Sequence, residues 1–142
     1  MRNRMLLPLA AALLGSPAAY GQSVDAGLVG AWKVIELEDK PAVHGETLTF
    51  ADQKIAGKSA CNYVQAGLKQ MGSALEIAGK VTRTAMSCGT ERTSAVRRRW
   101  EAERRYMETL VRIRGYALKD GSLMLTGAEG QVLMRLSKSQ PP

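Results

Sequence analysis

From Val29 onward, apolar residues recur at every second position in short runs separated by turn residues, the pattern of strands with one buried face. Trp32, Val34, Ile35 and Leu37 stand among Lys33, Glu36 and Glu38. The alternation slips at Val34-Ile35, so this strand carries a bulge or is covered on both faces. Asp39-Lys40-Pro41 ends it. Leu48 and Phe50 alternate with Thr47 and Thr49, and Ala51-Asp52-Gln53 turns the chain into Lys54–Ser59. Leu75, Ile77, Gly79 and Val81 alternate with Ala74, Glu76, Ala78 and Lys80, the most regular of the half-buried strands. Asp120-Gly121 parts Tyr116–Lys119 from Ser122–Thr126. This predicts a hairpin, because both central residues of such a turn need positive φ. Glu129-Gly130 precedes a last strand, Gln131–Ser137, and the Pro-Pro tail can join no ladder.

One stretch, Ser94–Arg112, breaks the period-two pattern. At about 100° per residue, Val96, Trp100, Met107, Leu110 and Val111 fall in one arc and are expected to face the core. Glu103 lies at the edge of that arc, between Val96 and Leu110. A carboxylate there has to be paired, bonded to backbone donors or carried to the rim, and the expectation is that it ties the helix to a neighbouring loop. Arg98, Glu101, Arg105 and Glu108 lie opposite that arc, in and beyond the arginine run Arg97-Arg98-Arg99. Glu101–Arg105, Arg104–Glu108 and Glu108–Arg112 are i,i+4 pairs in the favourable order, each worth about 0.2–0.5 kcal/mol. The run therefore has two readings: a solvated face laced with ion pairs, or an anion- or partner-binding patch of Arg97, Arg98, Arg104 and Arg105.

The N-terminus changes the frame. Arg2 and Arg4 precede the apolar stretch Met5–Leu14, and Ala19-Tyr20-Gly21 offers small residues at a cleavage site. That layout predicts a secretory signal peptide over 1–21 and a mature chain over 22–142, with an ordered core over about 28–137. The stretch is too short to span a bilayer, which takes about 20 helical residues. No cysteine adjoins the cleavage point for lipid attachment. A soluble, monomeric, periplasmic or secreted protein without a membrane span is expected.

About 121 residues then remain, enough for one domain with one core. Hydrophobic residues make up 45% and charged residues 23%, an ordinary globular balance. Losing Arg2 and Arg4 leaves 18 basic against 13 acidic residues, a net charge of +5. No arginine-rich tail or aromatic-studded basic strand is present, so nucleic acid is not an expected partner. In an oxidising compartment Cys61 and Cys88 are expected to be joined, which would stabilise the chain by about 3–4 kcal/mol; a pair of buried thiols is the competing reading.

Catalytic chemistry finds little material. His44 is the sole imidazole, no metal or cofactor site is expected from two distant cysteines, and no Cys-x-x-Cys, phosphate loop or nucleophile elbow occurs. An enzymatic role would need His44 and Glu103 to share a cleft.

Several stretches, in order, resemble one family. Gly30-Ala31-Trp32-Lys33-Val34 opens the domain, followed by Lys40-Pro41, Leu48-Thr49-Phe50 and Ala60-Cys61-Asn62. Thr82-Arg83-Thr84-Ala85-Met86-Ser87-Cys88 comes next, then Glu103 with Tyr106 and Leu110. Leu123-Met124-Leu125 and Gly130-Gln131-Val132-Leu133 complete the series. This is similar to the META domain, or HslJ-like, family, and the likeness covers nearly all of the mature chain. Ala60 stands where the family usually has glycine, and Gly89–Arg99 is longer and more basic than the usual connection.

The resemblance implies an α+β fold: a strongly curved antiparallel sheet, half closed like a barrel, with one long helix packed against it. It also implies that Cys61 and Cys88 are neighbours, and that Asn62 braces a turn through its side-chain amide. Members of the family are envelope or secreted proteins linked to stress, antibiotic tolerance or virulence, without established catalytic residues. The expected role is therefore a non-enzymatic envelope domain, without cofactor, that binds an envelope protein or anionic surface component or supports stress tolerance. The alternative is a carrier enclosing a small apolar ligand among Phe50, Leu75, Ile77 and Leu125.

Overall fold

The structure, a computed structural model, describes residues 25–139. The expected signal segment 1–21 and the tail 140–142 lie outside them. Among the described residues the elements are β1 (Gly30–Leu37), β2 (Lys40–Pro41), β3 (Thr47–Ala51), β4 (Lys54–Lys58), β5 (Tyr63–Met71), β6 (Ala74–Arg83), α1 (Ser94–Leu110), β7 (Gly115–Lys119), β8 (Ser122–Thr126) and β9 (Val132–Lys138). The nine strands form one antiparallel sheet in the order β2-β1-β3-β4-β5-β6-β7-β8-β9, and β1 also pairs with β9. The sheet thus curls into a ring that is not a barrel: β6 and β7 share only the pair Ala74–Gly115, and the seam beyond it stays open. This is the expected α+β, half-closed architecture.

Alternation decides which face of each strand turns inward. Trp32, Val34 and Leu37 of β1, Leu48 and Phe50 of β3, Ile55 of β4 and Leu75 of β6 are buried together with Leu123, Leu125, Leu133, Met134 and Leu136 from the C-terminal strands. The slip foreseen in β1 is a bulge: pairing with β9 shifts between Val34 and Glu36, and Ile35 turns outward. Asp120 and Gly121 adopt φ of 51° and 76°, as the β7–β8 hairpin requires. β5 does not stand out in the alternation, because its inward positions Val64, Ala66 and Leu68 include only two large side chains.

Thr93 caps α1, its hydroxyl accepting from the Val96 N–H at 3.2 Å. The face that α1 buries is not the expected one. Val96 and Leu110 point inward, but their companions are Ala102, Glu103, Tyr106 and Thr109, whereas Trp100 and Val111 are exposed and Met107 is only partly buried. At about 100° per residue, the buried arc is centred about 80° from the predicted one. Tyr106 sets this rotation. It is fully buried, and its hydroxyl donates to the Thr47 carbonyl at 2.7 Å, over a Gly57 whose missing side chain leaves room for it. A large aromatic with a satisfied hydroxyl outweighs the two apolar residues left outside.

Candidate functional site

Glu103, placed by periodicity at the edge of the apolar arc and expected to tie the helix to a neighbouring loop, is 3% exposed and is bonded to the β4–β5 turn. One oxygen, Oε2, accepts from the Cys61 backbone N–H at 3.0 Å. The other, Oε1, accepts from the Asn62 side-chain amide at 2.9 Å, with the Arg83 guanidinium 3.5 Å away. Burial pushes the Glu103 carboxyl up, but the Ser59 hydroxyl, the Cys61 N–H, the Asn62 amide and the Arg83 charge together outweigh it. The net shift is below the ordinary carboxylate value. Glu103 is thus an ionised, fully engaged anion. The neighbouring Tyr106 phenol is pushed upward by burial and by the facing Glu103 and Glu46 carboxylates.

Asn62, wholly buried, is the hub of this clasp. Its Oδ1 accepts from the Thr84 hydroxyl at 2.8 Å and the Met86 N–H at 2.6 Å, and its Nδ2 donates to the Met86 carbonyl at 3.2 Å as well as to Glu103. Its backbone N–H donates to Ser59 Oγ, which in turn donates to the Asn62 carbonyl. The turn brace implied by the resemblance therefore extends further, tying the β4–β5 turn to the segment after β6 and to α1. Cys61 and Cys88 close the same junction as a disulfide with Cα atoms 5.2 Å apart. Both sulfurs and a Glu103 oxygen lie within 4.8 Å of one another. With the sulfurs joined and the carboxylate committed to N–H donors, the cluster works as a fastening. Sequence reasoning gives no role to Ser59, beside Ala60-Cys61-Asn62, or to Arg83 and Thr84, which lie inside the family-like stretch Thr82–Cys88.

His44 is not among the groups bonded to Glu103. Its own N–H donates to Glu46 Oε2 and its carbonyl accepts from Lys58 Nζ. Glu46, buried beside it, is a second engaged carboxylate that the alternation of polar and apolar residues gave no reason to place inside.

The outer face of α1 presents Arg97, Arg98 and Arg104 to solvent and Arg105 partly so, beside a Trp100 that is 45% exposed and whose indole N–H donates to the Gly89 carbonyl at 3.1 Å. Of the three expected i,i+4 pairs, only Arg104–Glu108 stands within 4.0 Å among the described residues, at 3.9 Å. Arg112 turns instead to Glu38. Arg97, Arg98 and Arg105 have no carboxylate within that distance among the described residues. The ion-pair lacing expected of this face is therefore largely missing.

The residues that would line an interior ligand cavity on the alternative carrier reading are packing. Phe50, Leu75 and Leu125 belong to the buried core, and Ile77 packs against it. Two hollows of about 500 and 480 Å³ lie on the sheet surface, one over β3–β6 and one over β1, β7, β8 and β9. Among the described residues no helix is long and apolar enough to cross a membrane.

A single helix against a curled antiparallel sheet, fastened by a Cys–Cys bridge and an Asn–Glu clasp, defines a class of small α+β domains. The META domain family profile matches residues 26–140, and the chain belongs to that family. No curated protein matches the sequence. Among solved structures, the fold is similar to an NMR structure of a protein from Burkholderia xenovorans. That likeness has a TM-score of 0.57 at 18% identity and covers 89% of this chain and 99% of that one. A crystal structure of a DUF4847 family protein from Bacteroides vulgatus is similar with a TM-score of 0.55 at 14% identity, over 82% and 97% of the two chains. At such identities the likeness concerns the fold alone.

Proposed function

We propose that this is a non-enzymatic, exported domain of the cell envelope that binds an acidic macromolecular partner through the outer face of α1, and so contributes to envelope stress tolerance. The observation that carries the reading is the state of that face: Arg97, Arg98 and Arg105 without carboxylate partners among the described residues, with Arg97 one turn from the half-exposed Trp100. Tryptophan and arginine dominate binding hot spots, and unpaired guanidinium groups can engage carboxylates or phosphates two bonds at a time.

Export is supported by the n-region and apolar stretch of the sequence and by the paired cysteines, which suit an oxidising compartment. A non-catalytic role is supported by Glu103, whose oxygens are taken up by donors and whose carboxyl is held ionised, the opposite of a poised general acid. Affinity capture from envelope extract, comparing the unaltered chain with one carrying Arg98→Glu and Arg105→Glu, tests the reading.

A further inference from the structure

The hollow over β3–β6 has a construction of its own. Register places Ala51, Lys54, Gly67 and Ala78 side by side across four strands, and Ala56 next to Gln65 in the adjoining row. Register partners project from the same face of a sheet, here the face opposite the core. Small side chains at Ala51, Ala56 and Gly67 leave a low floor.

Its wall comes from an irregularity in β6. Between the pairs Gln65–Thr82 and Gly67–Ala78, β5 advances two residues while β6 advances four. The extra residues are accommodated at Gly79, whose φ of 73° suits glycine. Such bulges re-aim side chains, and this one sets Lys80 at the border of the hollow, where Lys54 of β4 also stands.

Every charged side chain lining the hollow is a lysine. Neither Lys54 nor Lys80 has a carboxylate within 4.0 Å among the described residues. A space of about 500 Å³ falls within the range of small-molecule sites. β3, β4 and β5 are paired on both sides here, whereas β6 beyond Ala74 borders the open seam.

We infer that the β3–β6 hollow binds a small organic carboxylate with a short apolar chain. The anionic head sits between Lys54 and Lys80, and the chain lies on the Ala51, Ala56 and Gly67 floor. Opposite charge at the rim and methyl groups below match that amphipathic shape, whereas a purely inorganic anion would leave the floor unused. The site is separate from the α1 face, and either can fail without the other.

The test is an NMR titration of the isotope-labelled chain with sodium octanoate, with 1-octanol and octylammonium as controls. Saturable shifts are expected at Ala56, Gln65 and Gly67 with octanoate, and much weaker ones with either control. Replacing both lysines (Lys54→Gln with Lys80→Gln) should weaken octanoate binding by about fivefold or more. Ala56→Leu, at an exposed position, should fill the hollow and abolish binding with both lysines in place and thermal stability unchanged. Absence of saturable shifts, shifts centred elsewhere, equal response to the controls, or binding indifferent to these substitutions would each overturn the inference.

Discussion

Asn62 and Glu103 meet at 2.9 Å, the side-chain amide of the β4–β5 turn donating to a carboxylate in the middle of α1. They are 41 positions apart in the chain, and the contact fixes how the helix sits in the curled sheet. It places Glu103 inward, which in turn directs the opposite, arginine-bearing face of α1 to solvent. The clasp therefore positions the proposed binding surface.

Removing the carboxylate should be costly. Glu103→Ala leaves the Cys61 N–H and one of the two Asn62 amide hydrogens without an acceptor in a buried place, and about 2–4 kcal/mol of stability should be lost. Glu103→Gln, which keeps the shape but turns a donor toward donors, should also destabilise, by a smaller amount. Urea denaturation of the two variants measures both; unchanged midpoints would remove the clasp from the account.

The same group should give stability a pH dependence. Its folded-state pKa lies below the ordinary 4.5, so the unfolded chain takes up the proton first as pH falls. The contribution is complete above about 4.5 and is lost progressively as pH drops toward and through the folded value. Stability should thus rise with pH in the acid range, and part of that slope should vanish in Glu103→Gln. Equal slopes in both chains would mean that other carboxylates carry it.

The Cys61–Cys88 bridge closes a loop of 27 positions. Its reduction, or replacement of both cysteines by serine, should cost about 3–4 kcal/mol on the chain-entropy account. Intact mass of the protein from its own compartment should be two hydrogens below the reduced value. A full-mass protein with two alkylatable thiols would contradict both the bridge and the compartment.

The rotation of α1 can be checked by paired truncations. Trp100→Ala, at a half-exposed site, should change stability by no more than about 1 kcal/mol, whereas Tyr106→Ala in the core should cost about 3–5 kcal/mol. Calorimetry of the two variants tests this, and the reverse ranking would restore the helix face predicted from periodicity.

Much of the fold was legible because period-two alternation is a local signal. The β1 bulge, the Asp120-Gly121 hairpin and the extent of α1 all follow from residues within a few positions of one another. What periodicity could not supply was the choice between two arcs of α1. Trp100 and Val111 are apolar enough to claim the core, and the long-range bonds from Tyr106 to Thr47 and from Glu103 to the Cys61-Asn62 turn exclude them. β5 is hidden because Ala66 and Gly67 carry little side chain, although pairing on both sides holds the strand in place. The family resemblance carried Cys61, Asn62 and Cys88 into one neighbourhood; the roles of Ser59, Arg83 and Thr84 depend on three-dimensional proximity that no spacing encodes. The missing ion pairs of α1 are equally invisible in sequence, since i,i+4 spacing permits a pair without making it worth the side-chain entropy.

The proposed role stands or falls on retention of a partner by the immobilised mature domain in envelope extract, followed across increasing salt. A specific component should be held at low salt, released as ionic strength rises, and lost when Arg98→Glu and Arg105→Glu are introduced, with the melting temperature of the domain unchanged. Retention of the same component, equally and at the same salt, by the charge-reversed domain would contradict binding through the arginine face of α1.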